Sequence, residues 1–150
     1  MKNKKKRKIY PKIRLAGDPI LETICTPVGD EDISHIIKDM MYILIGSKGG
    51  VGISANQAGH SKRIIIVKDK GTFVVMINPE IIDQHGEDCW EEGCLSYPKK
   101  TKWIKRAWMI DLKYINELGN LVEGAVIRFP ARIIQHEVDH LNGECKVGEE

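Results

Sequence analysis

Two histidines near the end of the chain are separated by three residues, in the pattern H-E-x-x-H. Because residues four apart lie on one face of an α-helix, His136 and His140 could direct both imidazoles at one metal ion. Glu137 lies on the same turn, where its carboxylate could take a proton from a water held by that ion. The pattern therefore predicts a metal-dependent hydrolytic site. The other interpretation is a half-buried helix with two hydrogen-bonded histidines.

The residues around these histidines are typical of a helix. Pro130 suits a first turn, where its missing N–H is not needed, and Gly143 suits the left-handed position just past a helix end. Phe129 and Ile133 extend the stripe of the two histidines at helical spacing. We therefore predict a helix that begins near Pro130, ends before Gly143 and presents both histidines on one face.

A metal ion that catalyses hydrolysis usually has three protein ligands and one open position. After His140, the chain has Lys146 where one protease pattern would have a third histidine, and it stops at Glu150, too soon for another packed helix. We therefore expect the third ligand upstream, where the candidates are His85, Cys89, Glu91, Glu92 and Cys94. Cys94 is chemically attractive, since it follows a glycine and a metal would hold it as a thiolate.

The elements that must position these residues follow from the hydrophobic pattern. Apolar residues at helical spacing predict a helix from about Asp32 to Ile45. Pro79 is expected to end one strand and begin a short separate piece, and Gly86–Cys89 is expected to be a turn. Strands are predicted at 63–68, 73–78, 103–106, 107–116 and 121–128. We predict an α+β fold in which antiparallel strands pack around the C-terminal H-E-x-x-H helix, with an N-terminal helix.

Charge is distributed unevenly along the 150 residues. The first 14 residues hold eight of the 23 basic residues and no acidic one, so the rest of the chain has 15 basic and 21 acidic residues. We predict a basic flexible tail at 1–11 and a single catalytic domain at 12–150. The tail is either a frayed terminus or a segment loosely attracted to ribosomal RNA.

The sequence predicts neither a membrane span nor secretion. The longest purely aliphatic run is 64–67, far shorter than a span, and the tail lacks the apolar segment of a signal peptide. The spacing of the four cysteines fits no zinc knuckle or disulfide framework; they are Cys25, Cys89, Cys94 and Cys145. We therefore expect a reducing cytoplasm, in which free cysteines are mostly small core residues.

Three segments together resemble the peptide deformylase family. Gly50–Gln57 resembles its G-x-G-x-(small)-A-x-Q motif, Glu92–Ser96 its E-G-C-L-S motif and Gln135–Gly143 its Q-H-E-x-D-H-L-x-G motif. The motifs occur in the family's order, within a similarity that extends over about residues 12–143. Ser54 replaces a more usual alanine. The short end after Gly143 resembles that of short, phage-like members, which lack the C-terminal helix implicated in ribosome docking.

The resemblance implies an enzyme that removes the N-formyl group from the N-terminal methionine of newly made polypeptides and releases formate. It implies that Cys94, His136 and His140 bind one divalent ion, Fe²⁺ in the native enzyme, with Zn²⁺, Ni²⁺ or Co²⁺ able to occupy the site. Glu137 would be the general base. The implied partners are N-formyl-methionyl nascent peptides in a bacterial cytoplasm or phage-infected host, with weak ribosome contact through the basic tail and no membrane or specific DNA partner.

The same resemblance implies how the substrate is held. The Gln57 side-chain N–H and the Leu95 backbone N–H would stabilise negative charge on the formyl oxygen. The peptide would lie extended beside the glycine segment, where room and backbone hydrogen bonds come from Gly50, Val51, Gly52 and Gly93. Candidates for the methionine pocket are Ile53, Phe129 and Ile133, although these could instead fill the core. Asp139 would orient a ligand histidine, pair with Arg106 or serve only as a helix charge.

Two functions from other classes compete with this interpretation. A zinc endopeptidase could use the same H-E-x-x-H pattern to cleave unblocked chains. A non-catalytic binding module would have a metal ion with a closed coordination shell that only stabilises the fold.

Overall fold

The computed structural model describes residues 8–150, so most of the predicted basic tail lies outside the described residues. The elements within this range are α1 (Ser34–Gly46), β1 (Gly52–Ser54), β2 (Ile64–Asp69), β3 (Thr72–His85), β4 (Asp88–Cys94), β5 (Tyr97–Arg106), β6 (Met109–Ile115), β7 (Leu121–Ile127) and α2 (Arg128–Leu141). Across residues 8–150, no helix is both long and apolar enough to cross a membrane.

The strands form two antiparallel sheets. The larger sheet has the order β1-β2-β3-β6-β7, and β4 pairs with β5 in a separate two-stranded sheet. Every pairing between these strands is antiparallel. The prediction of an α+β fold with antiparallel strands is therefore confirmed.

The aliphatic run in β2 explains how the two helices are arranged. Successive side chains of a strand point to opposite faces. Ile64 and Ile66 pack in the core cluster that contains the apolar residues of α1, whereas Ile65 and Val67 pack in the cluster that contains those of α2. Because a helix covers each face of this strand, every residue of the run is apolar, and apolar and polar residues do not alternate.

The structure differs from the prediction at Pro79, which does not end a strand. β3 continues through it, and its pairing with β6 shifts register between Ile77 and Glu80. Asn78 has φ of +51° at this shift. A bulge accommodates proline in a strand because the missing N–H falls where the ladder is interrupted. The predicted turn at Gly86–Cys89 is also too long, since β4 already begins at Asp88.

The chain reverses direction after α2. Gly143 has φ of +76°, as predicted for a residue just past the helix, and a Cβ there would lie 2.7 Å from the Glu22 carbonyl oxygen. The segment that follows forms a short 3-10 helix, Lys146–Gly148, in which Val147 is fully buried. The reversal therefore returns the end of the chain against the body of the protein.

Candidate metal centre

Cys94, His136 and His140 lie together although β4 and α2 are far apart in sequence. The Sγ of Cys94 is 3.2 Å from Nε2 of His140, and the two imidazole centroids are 5.0 Å apart. Cys94 ends β4, and the histidines occupy one face of α2. The structure thus brings together the three residues that the sequence proposes as ligands.

Within residues 8–150, the other upstream candidates do not belong to this group of ligand atoms. The imidazole of His85 is 3.1 Å from the carboxylate of Asp111, across the pairing of β3 and β6. Cys89 is exposed, and the carboxylate of exposed Glu91 accepts a hydrogen bond from Thr101. Glu92 is directed at a histidine rather than placed as a ligand itself.

Glu92 orients one of the candidate ligands. Its Oε1 is 3.0 Å from Nδ1 of His136, which leaves Nε2 as the ring nitrogen free to bind a metal. Burial raises the pKa of Glu92, but hydrogen bonds from His136, Arg106 and Arg132 outweigh burial and lower it to about 2. The carboxylate is therefore ionised at neutral pH and fixes the imidazole by charge as well as by geometry.

Two buried arginines hold that carboxylate in place. Arg106 donates to Glu92 Oε2 at 2.7 Å and to Asp139 Oδ2 at 2.9 Å, and Arg132 also donates to Glu92. Asp139 thus pairs with Arg106, which is one of the three roles that the sequence suggested for this residue. From the sequence, Glu92 was a candidate metal ligand and the first residue of the E-G-C-L-S segment, and its role in orienting His136 was not predicted.

Glu137 is buried beside the candidate ligands. Among residues 8–150, its Oε2 has no hydrogen-bond partner. Burial raises the pKa of Glu137, and the nearby His136 and His140 partly oppose that effect. A carboxylate of this kind binds a proton more readily than an exposed glutamate does, as a general base requires.

Gln57 approaches the site from a short 3-10 helix, Ala55–Ala58. Its Nε2 donates to Ser96 Oγ at 3.0 Å and is 3.6 Å from the Sγ of Cys94. Its Oε1 accepts from the Ser54 N–H at 3.0 Å and from the Ser54 hydroxyl at 3.1 Å. Ser54 therefore helps to fix the Gln57 amide with its N–H groups toward the site.

Cys94, His136 and Glu137 line a cavity of about 450 Å³. Its lining includes six of the seven predicted substrate-binding residues: Gly50, Val51, Gly52, Gly93, Phe129 and Ile133. Leu95, which was predicted to stabilise the formyl oxygen, also lines it. Ile53, predicted as a candidate for the methionine pocket, does not line this cavity. It is 0% exposed in the core cluster that contains the apolar residues of α1, because its strand turns it away from α2.

The backbone of β1 passes close to α2 at Gly52. A Cβ at this position would lie 2.7 Å from Ile133 Cγ2 and 3.0 Å from Glu137 Oε1. We expect Gly52→Ala to lower the free energy of unfolding by about 1–3 kcal/mol, because an added methyl overpacks the contact. Urea denaturation measures the change. Gly124→Ala is the matched control, since a Cβ there meets nothing within 4 Å; equal stability of the two variants would contradict the contact.

Cys145 joins the three candidate ligands, which the sequence analysis did not predict. Four ligand atoms lie within 4.8 Å of one another, one from each of Cys94, His136, His140 and Cys145. The third ligand was expected upstream because the chain is too short after His140 for another packed helix. The turn at Gly143 brings Cys145 to the same group of atoms without such a helix. Sulfur and imidazole donors suit a divalent transition metal, so the residues present fit such an ion.

Comparison with known proteins places these residues in a family context. The polypeptide deformylase family matches residues 10–147 of the chain. A peptide deformylase of Halothermothrix orenii is 42% identical over 136 residues, which cover 87% of this chain and 87% of that protein. One of Clostridium botulinum is 41% identical over 133 residues, covering 87% of this chain and 90% of the relative.

Solved structures agree with the sequence comparison. The peptide deformylase of Thermotoga maritima superimposes with a TM-score of 0.86 at 37% identity, covering 92% of this chain and 95% of that one. A class I type b peptide deformylase of Acinetobacter baumannii, solved with Met-Ala-Ser bound, has a TM-score of 0.85 at 36% identity, covering 93% of this chain and 97% of that one.

Proposed function

Since the chain belongs to the peptide deformylase family, we propose that Cys94, His136 and His140 hold the divalent metal ion on which this family's activity depends. The enzyme removes the N-formyl group from the N-terminal methionine of newly made polypeptides and releases formate. One observation carries the proposed site: a thiol and two imidazoles converge beside the unpartnered carboxylate of Glu137, at a cavity.

The native ion proposed is Fe²⁺, with Zn²⁺, Ni²⁺ or Co²⁺ able to substitute, because one sulfur and two imidazole donors accept any of these metals. When bound, such an ion supplies Lewis-acid chemistry: it lowers the pKa of a water and polarises a carbonyl oxygen. Glu92 fixes the His136 ring through Nδ1, so that Nε2 is already oriented to bind the ion before the substrate arrives.

Glu137 moves the protons of the reaction. Its buried Oε2 accepts a proton from the attacking water, and the same carboxyl then donates that proton to the departing peptide amine. The raised pKa of Glu137 suits both steps, since the group must first take up a proton and later release it. The carboxylate lies in the lining of the cavity, where the formyl group would enter.

Gln57 and Leu95 are proposed to stabilise the charge that develops on the formyl oxygen. Gln57 keeps its amide N–H groups toward Cys94, and Leu95 follows Cys94 in the turn between β4 and β5 and lines the cavity. Donors fixed before the reaction stabilise charge without having to reorganise.

We expect Gln57→Ala to lower kcat for deformylation by about 10²–10³-fold, the usual cost of removing one oxyanion donor. Formate release by enzyme with measured metal content checks this. Gln84→Ala makes the same change on an exposed part of β3 and should retain the normal rate. A Gln57→Ala enzyme that turns over at the rate of Gln84→Ala would remove the amide from the mechanism.

The substrate peptide is proposed to lie extended between the β1 edge and the end of β4. The Val51 carbonyl already accepts the Lys68 N–H at 2.7 Å, so we assign its N–H to the peptide, together with a backbone group of Gly93. Phe129, half exposed, and Ile133 supply the apolar contacts for the methionine side chain. The Acinetobacter baumannii relative that binds Met-Ala-Ser supports a peptide of this kind as the ligand.

Incubation with formyl-Met-Ala-Ser, followed by assays for formate and for peptide masses, tests the function. Formate together with free Met-Ala-Ser is the expected result. Internal cleavage of a longer unblocked peptide would instead indicate an endopeptidase, and neither product from metal-loaded protein would indicate a binding module.

The basic N-terminal segment is proposed to contact the ribosome weakly, because clustered positive charge is attracted to RNA. Nascent formylated chains are made in the cytoplasm, where we propose that the enzyme acts. Deleting residues 2–8 should weaken ribosome binding mainly at low salt, as co-sedimentation would measure. Equal binding of the deleted and full-length chains at low salt would contradict the contact.

A further inference from the structure

We propose that Cys145 is a fourth protein ligand of the metal ion in the substrate-free enzyme, and that it occupies the position which water and substrate need. The inference rests on the proposed metal site of Cys94, His136 and His140. The C-terminal segment that carries Cys145, residues 143–150, would then regulate access to the ion.

Geometry is the first support for this ligand. The Sγ of Cys145 belongs to the group of four ligand atoms that lie within 4.8 Å of one another. Tetrahedral donors about 2.0–2.3 Å from one ion are roughly 3.3–3.8 Å apart, so small inward shifts would bring all four atoms onto a single ion. Cys94 Sγ and His140 Nε2 are already 3.2 Å apart.

Packing of the C-terminal segment is the second support, because it holds Cys145 at the site. Val147, two residues later, is fully buried. Gly148 packs so closely on Tyr97 that a Cβ would lie 2.4 Å from the ring, and Lys102 donates to the Glu149 carbonyl at 2.9 Å. Both partners lie on β5, so the segment is anchored to the small sheet that also carries Cys94.

The composition of the site changes its chemistry. Two thiolates and two imidazoles form the closed, tetrahedral set that is typical of structural zinc, whereas three ligands leave a position for catalysis. Turnover would then require Cys145 to leave the ion and take a proton from the water that replaces it. This exchange breaks one metal–sulfur bond and forms one metal–oxygen bond, and nothing is oxidised or reduced.

Cobalt spectroscopy counts the thiolates directly. Co²⁺-loaded protein, prepared anaerobically under reductant, absorbs in the near ultraviolet in proportion to the number of bound thiolates. We expect Cys145→Ser to show about half of the wild-type intensity, because one of two sulfur ligands is lost. Cys89→Ser, an exposed cysteine outside the cluster, should match wild type. Equal intensity in Cys145→Ser and wild type would overturn the inference.

Metal affinity gives a second readout. Competition with a chelator should show that Cys145→Ser binds Zn²⁺ at least about tenfold more weakly than wild type, since loss of even an indirect metal contact costs about 10–100-fold. Unchanged affinity would contradict the fourth ligand.

Formate release separates this inference from the proposed function. We expect metal-saturated Cys145→Ser to release formate faster than wild type, because no protein sulfur competes with water and substrate. A slower variant would contradict the regulatory role. If no variant releases formate, the deformylase assignment fails, while the cobalt intensities still decide whether Cys145 binds the ion.

Discussion

Glu137→Gln should reduce formate release toward the upper end of the about 10²–10⁴-fold range that a general acid–base contributes. Glutamine keeps the volume of the buried side chain but cannot take the proton from water or return it to the amine. Because the candidate ligands are Cys94, His136 and His140, the variant should still bind one ion per chain. Activity and metal content, measured on the same anaerobic preparation, check both parts.

Glu117→Gln is the matched control for this prediction, since Glu117 is exposed in the turn between β6 and β7. It should retain wild-type activity and metal content. A metal-loaded Glu137→Gln enzyme with near-normal turnover would show that another group moves the protons.

Glu92→Gln should be the most destabilising single change near the site. The carboxylate lies between Arg106 and Arg132, which are both buried, and also bonds His136. Removing one partner of a buried charge network costs about 3–5 kcal/mol, because the remaining charges lose their compensation. Urea denaturation of the metal-free proteins at pH 7 measures the difference.

Glu91→Gln makes the same substitution on the neighbouring residue of β4, which is exposed, and should change stability by less than about 0.5 kcal/mol. If Glu92→Gln were as stable as Glu91→Gln, the carboxylate would not hold the two arginines together.

The effect of Glu92 should depend on pH. Its pKa is lowered to about 2 in the folded protein, from an ordinary value of 4.5. A lowered carboxyl pKa stabilises the fold fully above the ordinary value and loses that contribution as pH falls toward the folded value. The stability difference between metal-free wild type and Glu92→Gln should therefore shrink as pH falls below about 5. A difference that stays constant down to pH 3 would contradict this assignment.

The parts of the site that sequence analysis could predict are those that depend on local geometry. His136 and His140 are four residues apart, so any helix through them places both on one face. Cys94 could be proposed only from its chemistry and from the resemblance of the surrounding motif, because its proximity to α2 is set by tertiary packing. The structure brings all three together.

The parts that escaped prediction depend on contacts between distant segments. The network of Glu92, Arg106 and Arg132 forms where β4, β5 and α2 meet, and no local pattern indicates it. Cys145 reaches the ligand group only because the chain reverses at Gly143. The spacing between His140 and Cys145 did not indicate that the chain would turn back to the ligand group.

For Ile53, the sequence suggested a contact that the structure does not show. Its position beside the glycine segment suggested a substrate contact, but strand alternation directs it into the core cluster of α1. A three-residue strand such as β1 is too short for the sequence to show which face is buried.

The most direct test of the central claim is an anaerobic titration of metal-free enzyme with Fe²⁺, in which formate release from formyl-Met-Ala-Ser is followed at each addition. The proposed site predicts that activity rises linearly and stops rising at one Fe²⁺ per chain, and that Cys94→Ser stays inactive at the same additions. Formate release that needs no metal, or that is equal in Cys94→Ser, would contradict a metal centre built from Cys94, His136 and His140.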